Sequence, residues 1–265
     1  MVLATPLSYP PPGQQAAERV DTWPAGLPRA VLSAACCPDR SATRAAATSA
    51  LGGPGSSENG SSAPIYPVSV LHNRRVDGER LGGRLLVAAP QLADPNFART
   101  VVLVLEHDEP GAVGVVLNRP LHVEVEEILE RWAPLAQAAP PGVVFSGGPV
   151  SPDAVIGMAA RGDTPSVRVE GNWREVVSGV GVVDLSTAPE DQPVALDAVR
   201  LFSGYAGWAP GQLEAELEDD GWFVFEALDS DVFADDPETL WHDVLQRQGG
   251  KVAMLAAYPP SPSVN

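Results

Sequence analysis

The chain has 265 residues and a net charge of −17, with 34 carboxylates against 17 basic side chains and 2 cysteines. An acidic excess of this size repels a phosphate backbone and argues against the basic patch or stripe that nucleic-acid binding ordinarily uses. The two cysteines, Cys36 and Cys37, are adjacent, which excludes a disulfide framework or a thiolate zinc site from the rest of the chain.

The charge is uneven. Residues 1–76 hold six Arg and four carboxylates, a net of +2, which leaves −19 on residues 77–265. Residues 1–80 are rich in Ala, Pro, Gly and Ser ("YPPPGQQAA", "SATRAAATSALGGPGSSENGSSAP") and show no apolar period. Such a segment buries too little apolar surface to offset its ordering entropy, so a disordered tail is expected there. Residues 81–265 are expected to form a single domain with its own core. No segment approaches the ~20 apolar residues of a membrane span. The start lacks a basic n-region and a sustained apolar h-region. A cytoplasmic location with no membrane partner is the expectation.

The elements follow in chain order. "GRLLVAAP" (83–90) reads as a buried strand closed by proline. "QLADPNF" is a turn initiated by Asp94-Pro95. "RTVVLVLEH" (99–107) and "AVGVVLNRP" (112–120) are two apolar runs joined by "DEPG", so a hairpin is predicted. In "VEVEEILERW" (123–132), Val125, Ile128, Leu129 and Trp132 fall at helical spacing, which predicts an amphipathic helix. "PPGVVFSGGPV" is a short strand ending in a glycine turn, and "DAVIGMAA" and "VVSGVGVVDLS" are further strands. "AVRLFSGYAGW" (198–208) is a strand running into glycines, "PGQLEAELED" a helix, and "GWFVFEA" a strand. "DDPETLWHDVLQRQGG" is a helix capped by Asp235 or Asp236, with Pro237 at its first position and Gly249 just past its end. Its apolar stripe is Leu240, Trp241, Val244 and Leu245. Strands dominate in hairpin-like succession without βαβ alternation, which predicts an α+β fold on a largely antiparallel or mixed sheet.

The common catalytic fingerprints are absent. There is no G-x-S-x-G elbow, Walker A loop, H-E-x-x-H or C-x-x-C, and "GVGVVD" lacks the third glycine of a dinucleotide loop. Glu106, His107 and Asp108 are consecutive on one strand end and cannot all point one way, so no metal site is expected there.

Three separated motifs do stand out: "LLVAAPQLADPNFARTVVLVLEHDEPGAVGVVLNRP", "FSGGPV" and "GYAGWAPGQLEAEL", followed by "RQGG". In that order they resemble the AlgH/YqgE family, over roughly residue 81 to the end. The resemblance implies a curled, bifurcated sheet forming a pseudo-barrel flanked by a few helices. It brings no assigned reaction and no cofactor, and members are often labelled transcriptional regulators.

Within these motifs the candidate ligand-binding residues are Arg99, Asn118, Arg119, Tyr205, Trp208 and Gln212. Hairpin geometry puts Arg99 beside Asn118 and Arg119 at the open end. It leaves His107 near the turn, some 20–25 Å away at ~3.3 Å per residue. Two guanidiniums beside an amide form either an anion site or a turn-capping network bonded to carboxylates such as Asp94 or Glu106. Tyr205, Trp208 and Gln212 suit a small-ligand or peptide pocket, or a core corner in which the indole N–H finds an internal partner. Gly147-Gly148 forms either an anion-binding nest or a plain tight turn. The function expected is a non-enzymatic regulatory or binding protein acting on a protein or small-molecule partner. The alternatives are an enzyme using the polar cluster near Arg99, Asn118 and Arg119, or a transcriptional regulator. Direct DNA binding fits the charge least.

Overall fold

The computed structural model describes residues 80–162 and 173–259. The low-complexity N-terminal segment lies outside the described residues. The strands are β1 (Arg84–Ala88), β2 (Val101–Asp108), β3 (Gly111–Val116), β4 (Pro120–Glu124), β5 (Val143–Ser146), β6 (Val150–Arg161), β7 (Arg174–Val177), β8 (Val180–Val183), β9 (Leu196–Trp208) and β10 (Trp222–Glu226). The helices are α1 (Val125–Ile128), α2 (Ala133–Gln137), α3 (Gln212–Glu218), α4 (Asp229–Val232), α5 (Leu240–Arg247) and α6 (Gly250–Leu255).

The main sheet runs β10-β1-β2-β3-β9-β6-β8-β7, all antiparallel. β9 also pairs in parallel with β5 at Val144↔Leu201 to Ser146↔Ser203, and β5 carries β4. This extra branch makes the sheet bifurcate. The sheet also curls back on itself: Arg174 on β7 donates to the Leu105 carbonyl of β2 at 2.5 Å and pairs with Glu106 at 3.4 Å. The fold is therefore the expected α+β pseudo-barrel.

Both faces of the sheet are covered, which explains why its strands read as continuous apolar runs rather than alternating ones. Leu85, Val87, Leu103, Phe145, Met158 and Phe202 face one core, closed by Trp241, Val244 and Leu245 of α5. Leu86, Val102 and Val104 face another, with Trp208, Trp222 and Leu213 of α3. Val144, Val199 and Leu201 form a third with Val125 and Trp132. α5 carries the expected buried stripe, and Gly249 follows its C-cap with φ +69°, a conformation that favours glycine.

Two local expectations are corrected. The predicted helix over 123–132 is one turn of α1, a break at Leu129 (φ −138°), and a 3₁₀ turn ending at Trp132. Val123 and Glu124 belong to β4, and Ile128 is 44 % exposed rather than buried. The break lets Trp132 reach the core from a separate turn, so helical spacing no longer applies across it. The run "VVSGVGVVD" is a hairpin of β7 and β8 rather than one strand, because Gly179 turns the chain at φ +74°.

Candidate functional site

The β2–β3 hairpin pairs Val102↔Val116 at its open end and Asp108↔Gly111 at its turn. Beyond Leu117, whose N–H donates to the Val101 carbonyl at 2.8 Å, the backbone ladder gives way to a side chain. The Asn118 amide, 7 % exposed, accepts from Val101 N–H at 3.0 Å and donates to the Arg99 carbonyl at 2.9 Å. The preceding turn is built by Asp94, whose carboxylate accepts from Asn96 N–H at 2.8 Å and whose carbonyl accepts from Phe97 and Ala98. Arg99 leaves that turn in the left-handed region, φ +56°, which is strained for a side chain of this size. The Asn118 bond to its carbonyl helps to hold that conformation.

Arg99 and Arg119 are thus both placed at the open end, joined through the backbone of residues 98–99. Arg119 donates to the Ala98 carbonyl at 2.7 Å, and its own carbonyl accepts from Ser146 N–H at 2.8 Å. The Arg99 guanidinium lies 4.7 Å over the Trp241 ring and donates to the Tyr258 carbonyl. Trp241 is itself fixed by donating its indole N–H to the Ala88 carbonyl at 2.8 Å. Among the described residues neither arginine is in an ion pair. Asp94 serves its turn and Glu106 pairs with Arg174, so neither carboxylate expected as a structural partner takes that role.

His107 lies at the far end, opposite Ala112. Its Nδ1 accepts from Leu81 N–H at 3.3 Å, and its Nε2 lies 2.8 Å from Glu214. A backbone N–H can only donate, so Nδ1 is the acceptor and Nε2 carries the proton toward Glu214.

Tyr205, Trp208 and Gln212 do not form one pocket wall. Tyr205 packs against the core that holds Phe202, whereas Trp208 faces the core that holds Trp222. Trp208, Gln212 and Trp222 instead converge on Glu216. Its Oε2 accepts from the Trp208 and Trp222 indoles at 3.0 and 2.9 Å, and its Oε1 accepts from Gln212 at 3.0 Å. Phe97 stacks over Trp208 at 6.2 Å and meets Trp222 edge-on at 5.6 Å. This corner is the internal-partner arrangement. Gly147-Gly148 mark a close backbone approach: Gly147 N–H donates to the Ser203 carbonyl at 2.7 Å, and a Cβ at Gly148 would lie 2.3 Å from the Tyr205 carbonyl carbon.

Two residues absent from the sequence candidates carry much of the polar architecture. Glu216 is one. The other is Arg200, 2 % exposed in the middle of β9. It donates to the carbonyls of Val232 at 2.8 Å, Pro140 at 2.5 Å and Ala234 at 3.1 Å, and lies 4.5 Å over the Phe145 ring. Among the described residues its Nε has no partner. Burial pushes this guanidinium down to about 10, against the pull of Asp235, and it remains a cation at neutral pH. A charged residue inside the apolar run "AVRLF" is the signal that marks it.

The class defined here is an α+β domain on a curled, bifurcated sheet, with two arginines gathered at one hairpin end. The AlgH-like family (DUF179) matches residues 85–253, and the chain belongs to that family. It is 54 % identical over 186 residues to UPF0301 protein SCO2948 of Streptomyces coelicolor, covering 70 % of this chain and 95 % of that one. It is 43 % identical over 200 residues to a UPF0301 protein of Thermobifida fusca, covering 72 % and 98 %. The crystal structure of protein DIP2367 from Corynebacterium diphtheriae matches at a TM-score of 0.62 with 34 % identity, covering 68 % of this chain and 93 % of that one.

Proposed function

We propose that this protein is a non-enzymatic binding or regulatory protein of the cytoplasm, and that Arg99 and Arg119 at the hairpin end recognise an anionic group on a small molecule or protein. The observation that carries this reading is that two arginines are anchored at one hairpin end of an acidic domain, and among the described residues neither is in an ion pair. Each is oriented by a backbone carbonyl, which holds its direction and leaves its charge uncompensated. The other polar groups that chemistry would draw on are engaged: Asn118 in the backbone, both nitrogens of His107, and both oxygens of Glu216. A charge of −19 on residues 77–265 opposes direct DNA binding. No described helix is long and apolar enough to cross a membrane.

The test is a thermal-shift screen of the full chain against pooled phosphorylated and carboxylated metabolites, with the pools recovered and analysed by mass spectrometry. A ligand that binds the folded state raises its melting temperature by mass action. The expected result is stabilisation by an anionic compound that is recovered unchanged, and loss of that stabilisation in Arg119→Ala. A compound consumed by the wild-type chain but not by Arg119→Ala would establish an enzyme instead.

A further inference from the structure

A cavity of about 570 Å³ lies between the α2 region and the segment that leads into β9, and none of its lining residues belongs to the hairpin end. Its volume lies in the ordinary range of small-molecule sites. The wall is mostly aliphatic, with Leu135, Val194 and Leu196 among prolines. Two opposite charges, Arg131 and Glu190, also line it. They do not neutralise each other: neither is in an ion pair or a side-chain hydrogen bond with a described residue.

Gln192 supplies the independent observation. It lines the same cavity and is only 9 % exposed. Its Nε2 donates to the carbonyls of Asp184 at 2.8 Å and Thr187 at 3.2 Å. Both partners are acceptors, so the amide orientation is forced and Oε1 is the remaining acceptor. That oxygen receives no bond from a described residue, yet it is not among the buried unsatisfied atoms. It therefore keeps some exposure to solvent, on a residue that lines the cavity.

We propose that this cavity binds a free amino acid with an aliphatic side chain. Arg131 takes the carboxylate, Glu190 and Gln192 Oε1 take the ammonium, and Leu135, Val194 and Leu196 take the side chain. A zwitterion matches a cation, an anion and an unpaired acceptor set around one apolar wall. It also adds no net charge to a domain of −19, whereas a plain anion approaches against that field. This site is independent of the reading given to Arg99 and Arg119.

The experiment is calorimetric titration of the full chain with L-leucine, 4-methylpentanoate and isopentylamine, the last two being leucine stripped of one charge each. Saturable binding of leucine is expected, with both analogues weaker by about tenfold or more. Arg131→Gln and Glu190→Gln should each weaken leucine by about tenfold at an unchanged melting temperature, since both side chains are exposed. Arg119→Ala should leave leucine binding intact, which separates this site from the hairpin end. The proposal is overturned if leucine shows no saturation by ~10 mM, or if either analogue binds as tightly. It is equally overturned if the Arg131 and Glu190 variants bind leucine like the wild type.

Discussion

The buried Arg200 and the hairpin-end pair Arg99 and Arg119 are all without an ion pair among the described residues, and they differ in what replaces it. Arg200 is shut from water and donates to three carbonyls within 3.1 Å, with aromatic faces packed beside its guanidinium. Arg99 and Arg119 sit at the surface end of a hairpin, where Arg119 is exposed and donates to one carbonyl. In the first case the protein's own dipoles surround the charge, and the side chain acts as a strut joining β9 to the Pro140 loop and α4. In the second the charge is oriented but open to solvent. Absence of a carboxylate is therefore not by itself a sign of a ligand site. The number of N–H groups already engaged, together with exposure, separates the two cases.

The comparison breaks most visibly at Arg200. Arg200→Ala should lower stability by about 3–5 kcal/mol, measured by chemical denaturation, because it opens a cavity and strands buried carbonyls. A loss under about 1 kcal/mol would mean the buried arginine is no more structural than the surface pair. Trp132→Ala and Trp241→Ala should each cost about 3–5 kcal/mol as cavity-forming changes. Trp241→Ala should also loosen Arg99, so its thermal response to an anionic ligand should fall while that of Trp132→Ala persists. Glu216→Gln should cost about 1–2 kcal/mol, since it weakens the charge-assisted bonds from two indoles and Gln212. Arg119→Ala should shift stability by no more than about 0.5 kcal/mol. A loss several times larger would move Arg119 into the structural class beside Arg200. Smallest of all, deleting residues 1–75 should leave the melting temperature unchanged, because periodic apolar sequence begins only near Leu81.

The hairpin end was legible because two apolar runs and a short Pro/Gly connection fix register within one local unit. That logic put Arg99 beside Asn118 and Arg119 and set His107 at the opposite end. The amide bridge of Asn118 could not be read the same way, since it depends on where β3 stops and on the left-handed turn at Arg99. Periodicity failed at 123–132 because a helix wheel assumes an unbroken helix, and the break at Leu129 resets the phase. Arg200 escaped notice because its carbonyl partners lie 32 to 60 residues away in sequence. Glu216 carries no local signal in the helix sequence, since its role depends on indoles supplied by the two flanking strands. The cavity at Arg131 has no local motif, since its walls come from two distant stretches.

The position of β9 has a consequence for how the chain assembles. β9 is shared by β3, β5 and β6, all of which precede it, and β1 waits for β10 at Leu85↔Phe225. During synthesis three strands leave the ribosome with an unfilled edge until Leu196–Trp208 has emerged. Such pairing closes long loops before any contact rewards them, which slows folding and exposes edges to association. A nascent chain stalled before residue 196 should therefore be a preferred client of a holding chaperone, and release of β9 should mark its escape.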